Sequence, residues 1–337
     1  MELFVLFGQS NMAGGGEQCP GGVPLWGDES DGGAEDLIEN ASVHALGFDD
    51  HDDGEAGRRW NVWATARPPL HRTWNGLGPG DYFGKAMAAA WPGKTIGLIP
   101  CAMSGVDIDF FRKDVISAQR DRWTIPPDNA KTSAYDMVVE RVRLAQEDGT
   151  VRGILFHQGE SDAGSGMAWL GKVEEIVSDL RSDLGLNTEE VPFVAGELLH
   201  GKSCSGLNST VNQIPLFIPN AFVVTADGLT PLDDYHFDLP SVRTLGRRYA
   251  DVMLGALGVE GEGGGECGGE CGGASGGASG EPVNKADDAG GADGADGADG
   301  AGGAGGAGGG LNQAALFNGG EIEGSKGIEG KGEERAQ

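Results

Sequence analysis

Four short stretches of the chain concentrate residues with chemistry to offer. Ser10 stands in Gly8-Gln9-Ser10-Asn11-Met12-Ala13-Gly14, and Gly105 in Pro100-Cys101-Ala102-Met103-Ser104-Gly105. Gln158 stands in His157-Gln158-Gly159-Glu160-Ser161-Asp162, and Asp233 and His236 in Asp233-Asp234-Tyr235-His236. A serine hydroxyl becomes a useful nucleophile only when a base takes its proton. An imidazole is that base when a carboxylate holds its Nδ1–H and leaves Nε2 free. Two residues separate Asp233 from His236, and in a turn this spacing lets the carboxylate reach the neighbouring ring. Gly105 permits close backbone approach to a ligand, and Gln158 offers a side-chain amide. Each residue alone has a plainer explanation: Ser10 as a helix cap, Gly105 as a loop glycine, His236 as a solvated loop histidine. A capped helix start accounts for Asp162 but not for His157 and Gln158. Taken together they make a nucleophile, a base with its orienting acid, and two donors for a developing negative charge.

The elements that would position them are legible as hydrophobic runs. Leu3–Phe7, Thr95–Ile99, Val151–Phe156, Pro192–Ala195 and Ala221–Thr225 are short, apolar and without polar alternation. That pattern predicts strands buried on both faces. Helices are expected between them over Tyr82–Trp91, with Asp81 as cap, over Ser133–Glu147, Ala168–Leu184 and Ser241–Leu257, each with apolar residues at helical spacing. Strands alternating with helices imply an α/β fold, a parallel sheet with right-handed crossovers and helices on both faces. Ligands bind such sheets beyond the strand C-termini. All four chemical stretches lie there, each just past a predicted strand.

The strings GQSNMAG (8–14), GLGPGDYFGKAM (76–87), IPCAMSG (99–105), HQGESD (157–162) and DDYH (233–236) resemble the SGNH-hydrolase superfamily. Within it the chain is similar to carbohydrate esterases of the sialate O-acetylesterase and acetyl xylan esterase type, over roughly residues 2 to 257. The resemblance implies a flavodoxin-like three-layer α/β/α sandwich with a five-stranded parallel sheet. It also implies ester hydrolysis without metal or other cofactor, on an acylated carbohydrate. Carried over by position, Ser10 matches the nucleophile, His236 the base and Asp233 its acid. Ser10 and Gly105 match the backbone donors of the oxyanion hole, and Gln158 stands where many relatives use Asn. His157, Glu160 and Asn11 are expected to shape the pocket. One departure concerns the second motif, where Ser104 replaces the first of two usual glycines. Asp234, beside Asp233, is a competing acid. The competing functions are an SGNH lipase or thioesterase acting on acyl lipids or thioesters, and a catalytically silent carbohydrate binder.

Composition narrows the alternatives. The 337 residues carry 52 Asp/Glu against 24 Lys/Arg, a net charge of −28. Residues 260–337 contribute −11 of it, from 15 acids and 4 bases. Phosphate-backbone recognition needs a basic stripe, so a nucleic-acid partner is not expected. No apolar run approaches the ~18 residues of a membrane span. The N-terminus has no basic region ahead of its short apolar run, so a signal peptide is not expected. Five cysteines are too sparse and odd for a disulfide framework, and a cytoplasmic location follows as the expectation. Cys267 and Cys271 are spaced CxxxC with no second ligand pair, so no metal site is expected. Residues 1–258 read as the esterase domain. Residues 259–337, rich in Gly, Ala and Asp, lack the apolar surface to offset ordering entropy and read as a disordered tail. The stretch Asp28 to Glu55, with eleven acids and no Lys or Arg, reads as an acidic insertion near the site.

Overall fold

The computed structural model describes residues 1–15, 33–49, 58–115 and 133–259. The expected tail and much of the acidic insertion lie outside the described residues. A seven-stranded sheet forms the middle layer, in the order β3-β2-β4-β1-β5-β6-β7. Its strands are β1 (Glu2–Gly8), β2 (Val43–Leu46), β3 (Trp63–Thr65), β4 (Ile96–Pro100), β5 (Thr150–His157), β6 (Phe193–Gly196) and β7 (Ala221–Val224). Six are mutually parallel, and β3 runs antiparallel to β2 at the edge. The five predicted strands are β1, β4, β5, β6 and β7. Counted alone they follow the order 2-1-3-4-5 of doubly wound sheets.

The expectation of five strands is therefore corrected to seven. β2 is only Val-His-Ala-Leu, set among acids and read as part of an insertion. It is a strand because it can pair with β4, through Val43 opposite Ile96 and Ala45 opposite Leu98. β3 then pairs with β2 through Trp63 opposite Leu46. Val43–Leu46 lies among acids and Trp63–Thr65 is only three residues, so neither announces itself without its neighbour.

The helices are α1 (Ser10–Ala13), α2 (Pro79–Ala90), α3 (Ala134–Gln146), α4 (Met167–Leu184), α5 (Asn208–Val211), α6 (Ile214–Phe217) and α7 (Leu239–Leu257). Successive residues of β1 point to opposite layers, which is why the strand shows no polar face. Leu3, Val5 and Phe7 join Val138 and Val142 of α3 and Ile176 and Leu180 of α4. Phe4 and Leu6 join Phe83 and Met87 of α2 and Leu245 and Tyr249 of α7. Ser133 caps α3 in a reciprocal box with Asp136, and Asp238 caps α7 by accepting from the Ser241 N–H. The cap expected of Asp81 is not made. α2 starts earlier, at Pro79 after Gly78, because a proline at the first helical position has no N–H to satisfy. Asp81 is buried inside the first turn, 2.7 Å from Lys85 Nζ. No helix among the described residues is long and apolar enough to cross a membrane.

One buried cation ties the strand ends beneath the site. Arg141 of α3 is fully buried and donates to the carbonyls of Pro100, Gly47 and Leu46 at 3.1, 2.9 and 2.9 Å, and to Asn61 Oδ1 at 2.5 Å. Pro100 ends β4 and Leu46 ends β2, so the guanidinium closes the C-terminal edge where these strands release their loops. Arg141→Leu leaves three buried carbonyls without that donor. Each such loss costs about 1–3 kcal/mol, so the urea midpoint is expected to fall by an amount equivalent to about 3 kcal/mol or more.

Candidate active site

The first turn of chain past β1 is held in a shape that only glycine allows. Gly8 has φ +135°, and a Cβ there would lie 2.1 Å from the His157 carbonyl oxygen of β5. Gly14 has φ +111°, and a Cβ would lie 2.2 Å from the Gly76 oxygen. Between them Ser10 opens α1 at the carboxyl end of the sheet, with only 4% of its surface exposed. The glycines at both ends of the GQSNMAG string thus follow from two close backbone approaches.

His236 arrives from the other end of the chain. Its Nε2 lies 2.9 Å from Ser10 Oγ, and its Nδ1 lies 2.8 Å from Asp233 Oδ2. The second Asp233 oxygen accepts from the Tyr235 and His236 N–H groups at 2.7 and 2.8 Å, so the carboxylate is fixed by the turn it sits in. Burial would raise the Asp233 carboxyl, but the His236 ring, followed by the Tyr235 N–H, the charge of the ring and the His236 N–H, holds it below the ordinary value. It stays ionised beside the imidazole. Asp234 does not compete for the ring; its carboxylate faces Lys202 Nζ at 3.5 Å. Asn11 grips the same turn from the Ser10 side. It donates to the Tyr235 carbonyl at 2.9 Å and accepts from the Phe237 N–H at 3.3 Å, so it holds the peptides flanking His236.

The backbone N–H of Ser10 and that of Gly105 are engaged by no group among the described residues. Gly105 has φ +66°, and its loop is tied to the serine turn through Met103 N–H to the Gly8 oxygen at 2.9 Å. Gln158 departs from the amide-donor role expected of it. Its Nε2 donates to the Val106 carbonyl at 3.3 Å and to Asp162, and its Oε1 accepts from Trp169 Nε1 at 2.6 Å. Both amide hydrogens are therefore engaged within the core. Gln9 stands the other way round. Its Oε1 accepts from the Gly159 and Ser161 N–H groups, both at 3.4 Å, and no described residue takes its Nε2 hydrogens. Gln9 is the residue that sequence reasoning passed over, although it lies directly before the serine in the same string. Which of two glutamines frees its amide depends on their neighbours, and no spacing rule reports that.

Below these groups lies a buried polar layer. Tyr249 Oη donates to the Phe156 carbonyl at 2.7 Å, so it accepts from His157 Nδ1–H at 3.1 Å. His157 Nε2 is then a bare acceptor, 3.6 Å from Glu160 Oε1. Burial holds the His157 imidazole neutral, pushing it down to about 3. Burial raises the Glu160 carboxyl, against the lowering pull of Asn11, its own backbone and His236. Glu160 Oε1 also accepts from Asn11 Nδ2, so the layer connects to the His236 turn through Asn11.

Among the described residues no group of three or more His, Cys, Asp or Glu side chains is arranged to hold a metal ion. The arrangement can deprotonate a hydroxyl at Ser10, hold the proton on His236, and offer N–H groups to an oxyanion.

The raised Glu160 carboxyl has a sign that can be checked. The folded chain keeps this proton over a range where the unfolded chain has lost it. Its contribution to stability therefore declines as pH rises above the ordinary glutamate value of 4.5. Glu160→Gln removes that decline. Its urea midpoint relative to the native chain is expected to rise as the pH is taken upward past 4.5.

The chain is similar to several known proteins. A probable carbohydrate esterase of Arabidopsis thaliana is 25% identical over 271 residues, covering 75% of this chain and 90% of the relative. The solved structure of an Arabidopsis thaliana protein superposes with a TM-score of 0.55 at 24% identity, over 75% of this chain and 98% of that one. A carbohydrate acetylesterase from Xanthomonas citri gives 0.55 at 17% identity, over 77% of this chain and 57% of its own. The structure of NanS gives 0.54 at 17%, over 75% and 96%. These structural likenesses speak for the fold. The family model described as carbohydrate esterase, sialic acid-specific acetylesterase, matches residues 1–255. The chain belongs to this family of carboxylic ester hydrolases.

Proposed function

We propose that this protein is a serine esterase that removes acetyl or similar short acyl groups from carbohydrates. The observation that carries the reading is the hydrogen-bonded series Ser10 Oγ, His236 Nε2, His236 Nδ1, Asp233 Oδ2, at 2.9 and 2.8 Å, in a chain of a carbohydrate esterase family.

Ser10 Oγ attacks the ester carbonyl carbon while His236 Nε2 takes the hydroxyl proton. The carbonyl π pair moves onto its oxygen, which the N–H groups of Ser10 and Gly105 and the Gln9 amide stabilise. Collapse breaks the bond to the sugar oxygen, which leaves with the proton from His236, and an acyl-Ser10 remains. A water then attacks, gives its proton to His236, and releases the carboxylic acid as Ser10 regains its hydrogen. Asp233 holds the ring tautomer and supports the imidazolium formed in each half. Asn11 keeps the base beside the nucleophile.

The test is a screen on acetylated xylan, O-acetylated sialic acid, p-nitrophenyl acetate and longer p-nitrophenyl esters. Turnover of the acetylated sugars is expected, abolished in Ser10→Ala. Preference for long acyl chains would favour a lipase or thioesterase instead. Failure of a fluorophosphonate to label Ser10 would favour a silent binder.

Two variant series separate the roles. Ser10→Ala and His236→Ala are expected to lower kcat by about 10⁴-fold or more, and Asp233→Asn by about 10³–10⁴-fold. Gln9→Ala is expected to lower kcat by about 10²–10³-fold, the usual effect of losing one oxyanion donor. Gln158→Ala is expected to act on stability instead, by about 1–3 kcal/mol, because it strips partners from buried Trp169 and Asp162. If Gln158→Ala shows the larger kcat loss and Gln9→Ala is silent, the assignment of the amide donor is reversed.

A further inference from the structure

Residues 66–78 run across the serine turn as a strap whose polar contacts the reaction scheme leaves unused. The Gly76 N–H donates to the Gly14 oxygen at 2.7 Å. His71 of the strap is fully buried and meets the Phe48 ring edge-on, with centroids 5.4 Å apart. Asn75, 1% exposed, is the residue that reaches furthest. Its Oδ1 accepts from the Arg72 N–H at 2.9 Å and closes the turn that carries it. Its Nδ2 donates to the Gly15 oxygen at 3.4 Å and to Ser104 Oγ at 3.3 Å. The amide of Asn75 thus touches the strap, the end of the nucleophile's turn and the loop that carries Gly105. Both its hydrogens are engaged, so none is left to meet a ligand.

The contact to Ser104 bears on one peptide group. The Gly105 N–H belongs to the peptide that joins Ser104 to Gly105. A peptide that precedes a glycine with positive φ can turn over between two β-turn forms at little steric cost. Gly105 is such a glycine, at φ +66°, and it is exposed. Turning that peptide over would reverse its N–H and present its carbonyl in its place. Asn75 holds the side chain on the residue immediately before, against the buried strap. Within the described residues Ser104 Oγ has no other hydrogen-bond partner.

We propose that Asn75 is a positioning residue which, through Ser104 Oγ, keeps the Gly105 N–H aimed at the reacting ester oxygen. The inference rests on the esterase reading, because it assigns a purpose to the Gly105 N–H.

The experiment is a double-mutant cycle in the full chain, with Asn75→Ala, Ser104→Ala and the pair. Two quantities are read. One is kcat and KM on p-nitrophenyl acetate, with sites counted by fluorophosphonate titration so that loss of folded protein drops out. The other is the second-order rate at which the fluorophosphonate labels Ser10, a reaction that also builds negative charge on an oxygen in the same place. Ser104→Ala is expected to lower kcat and the labelling rate about tenfold in the native background, less than outright loss of a donor, with KM within about twofold. In the Asn75→Ala background it is expected to change neither by more than about twofold. Effects of the two substitutions that simply multiply overturn the proposal, as does a Ser104→Ala protein with native kcat. Should Asn75→Ala fail to fold, the Ser104→Ala result in the native background decides alone. A native chain that labels but cleaves no acetyl ester defeats the proposed substrate while the labelling rates still judge Asn75. A native chain that does neither defeats both.

Discussion

The 2.9 Å contact between Ser10 Oγ and His236 Nε2 joins groups 226 positions apart, and much of the architecture serves to keep it short. Two long side chains on separate loops would not hold such a distance by themselves. Here the serine is on a turn pinned by two glycines against β5 and the strap. The histidine is on a turn closed on itself by Asp233 and by Leu232 N–H to the His236 oxygen at 2.8 Å. Asn11 then bonds both peptides that flank the histidine. The entropy of ordering these loops is met during folding, so little reorganisation is left for the moment of reaction.

The layer under the site shows how polar groups are tolerated in a buried setting. His157 is neutral because its Nδ1–H meets the Tyr249 oxygen and burial disfavours a second proton. Gln158 satisfies Trp169, Val106 and Asp162 at once and acts as a knot between β5, α4 and the loop after β4. Asp162 also accepts from the Ile108 N–H at 2.9 Å, which extends the knot to that loop's short helical turn. Arg141 does the equivalent work at the other end of the edge. Hydrogen bonding inside a low-dielectric layer rigidifies it only when nearly every partner is present, which gives these residues a structural reason to be polar and buried together.

Much of the fold was legible in the hydrophobic pattern. The five apolar runs became strands β1, β4, β5, β6 and β7, since a strand buried on both faces leaves an unbroken apolar word in the sequence. Helices α3, α4 and α7 followed from their spacing within two residues at either end. β2 and β3 were not legible, because Val43–Leu46 is set among acids and Trp63–Thr65 is only three residues, and both acquire strand geometry from the edge they join. The capping role of Asp81 failed for a related reason. The proline two residues earlier had already begun the helix, and Asp81 was carried inside.

For the site, the order of residue types along the chain determined which side chains could meet: a serine, a glycine, and an Asp–His pair, each just past a strand whose end lies on one edge of a parallel sheet. That follows from local rules, since parallel strands align their carboxyl ends and their loops must emerge together. Tertiary structure alone decided how the remaining hydrogen bonds are shared out. Two glutamines of equal chemistry have opposite fates, Gln158 enclosed by Trp169 and Asp162, Gln9 anchored by its oxygen with its amide open. Asn75 and His71 carried no signal in their surroundings, because what they touch is brought to them by the packing of the strap. A hydrogen bond needs a partner within about 3 Å and a favourable angle, and for residues far apart in the chain only the folded backbone supplies either.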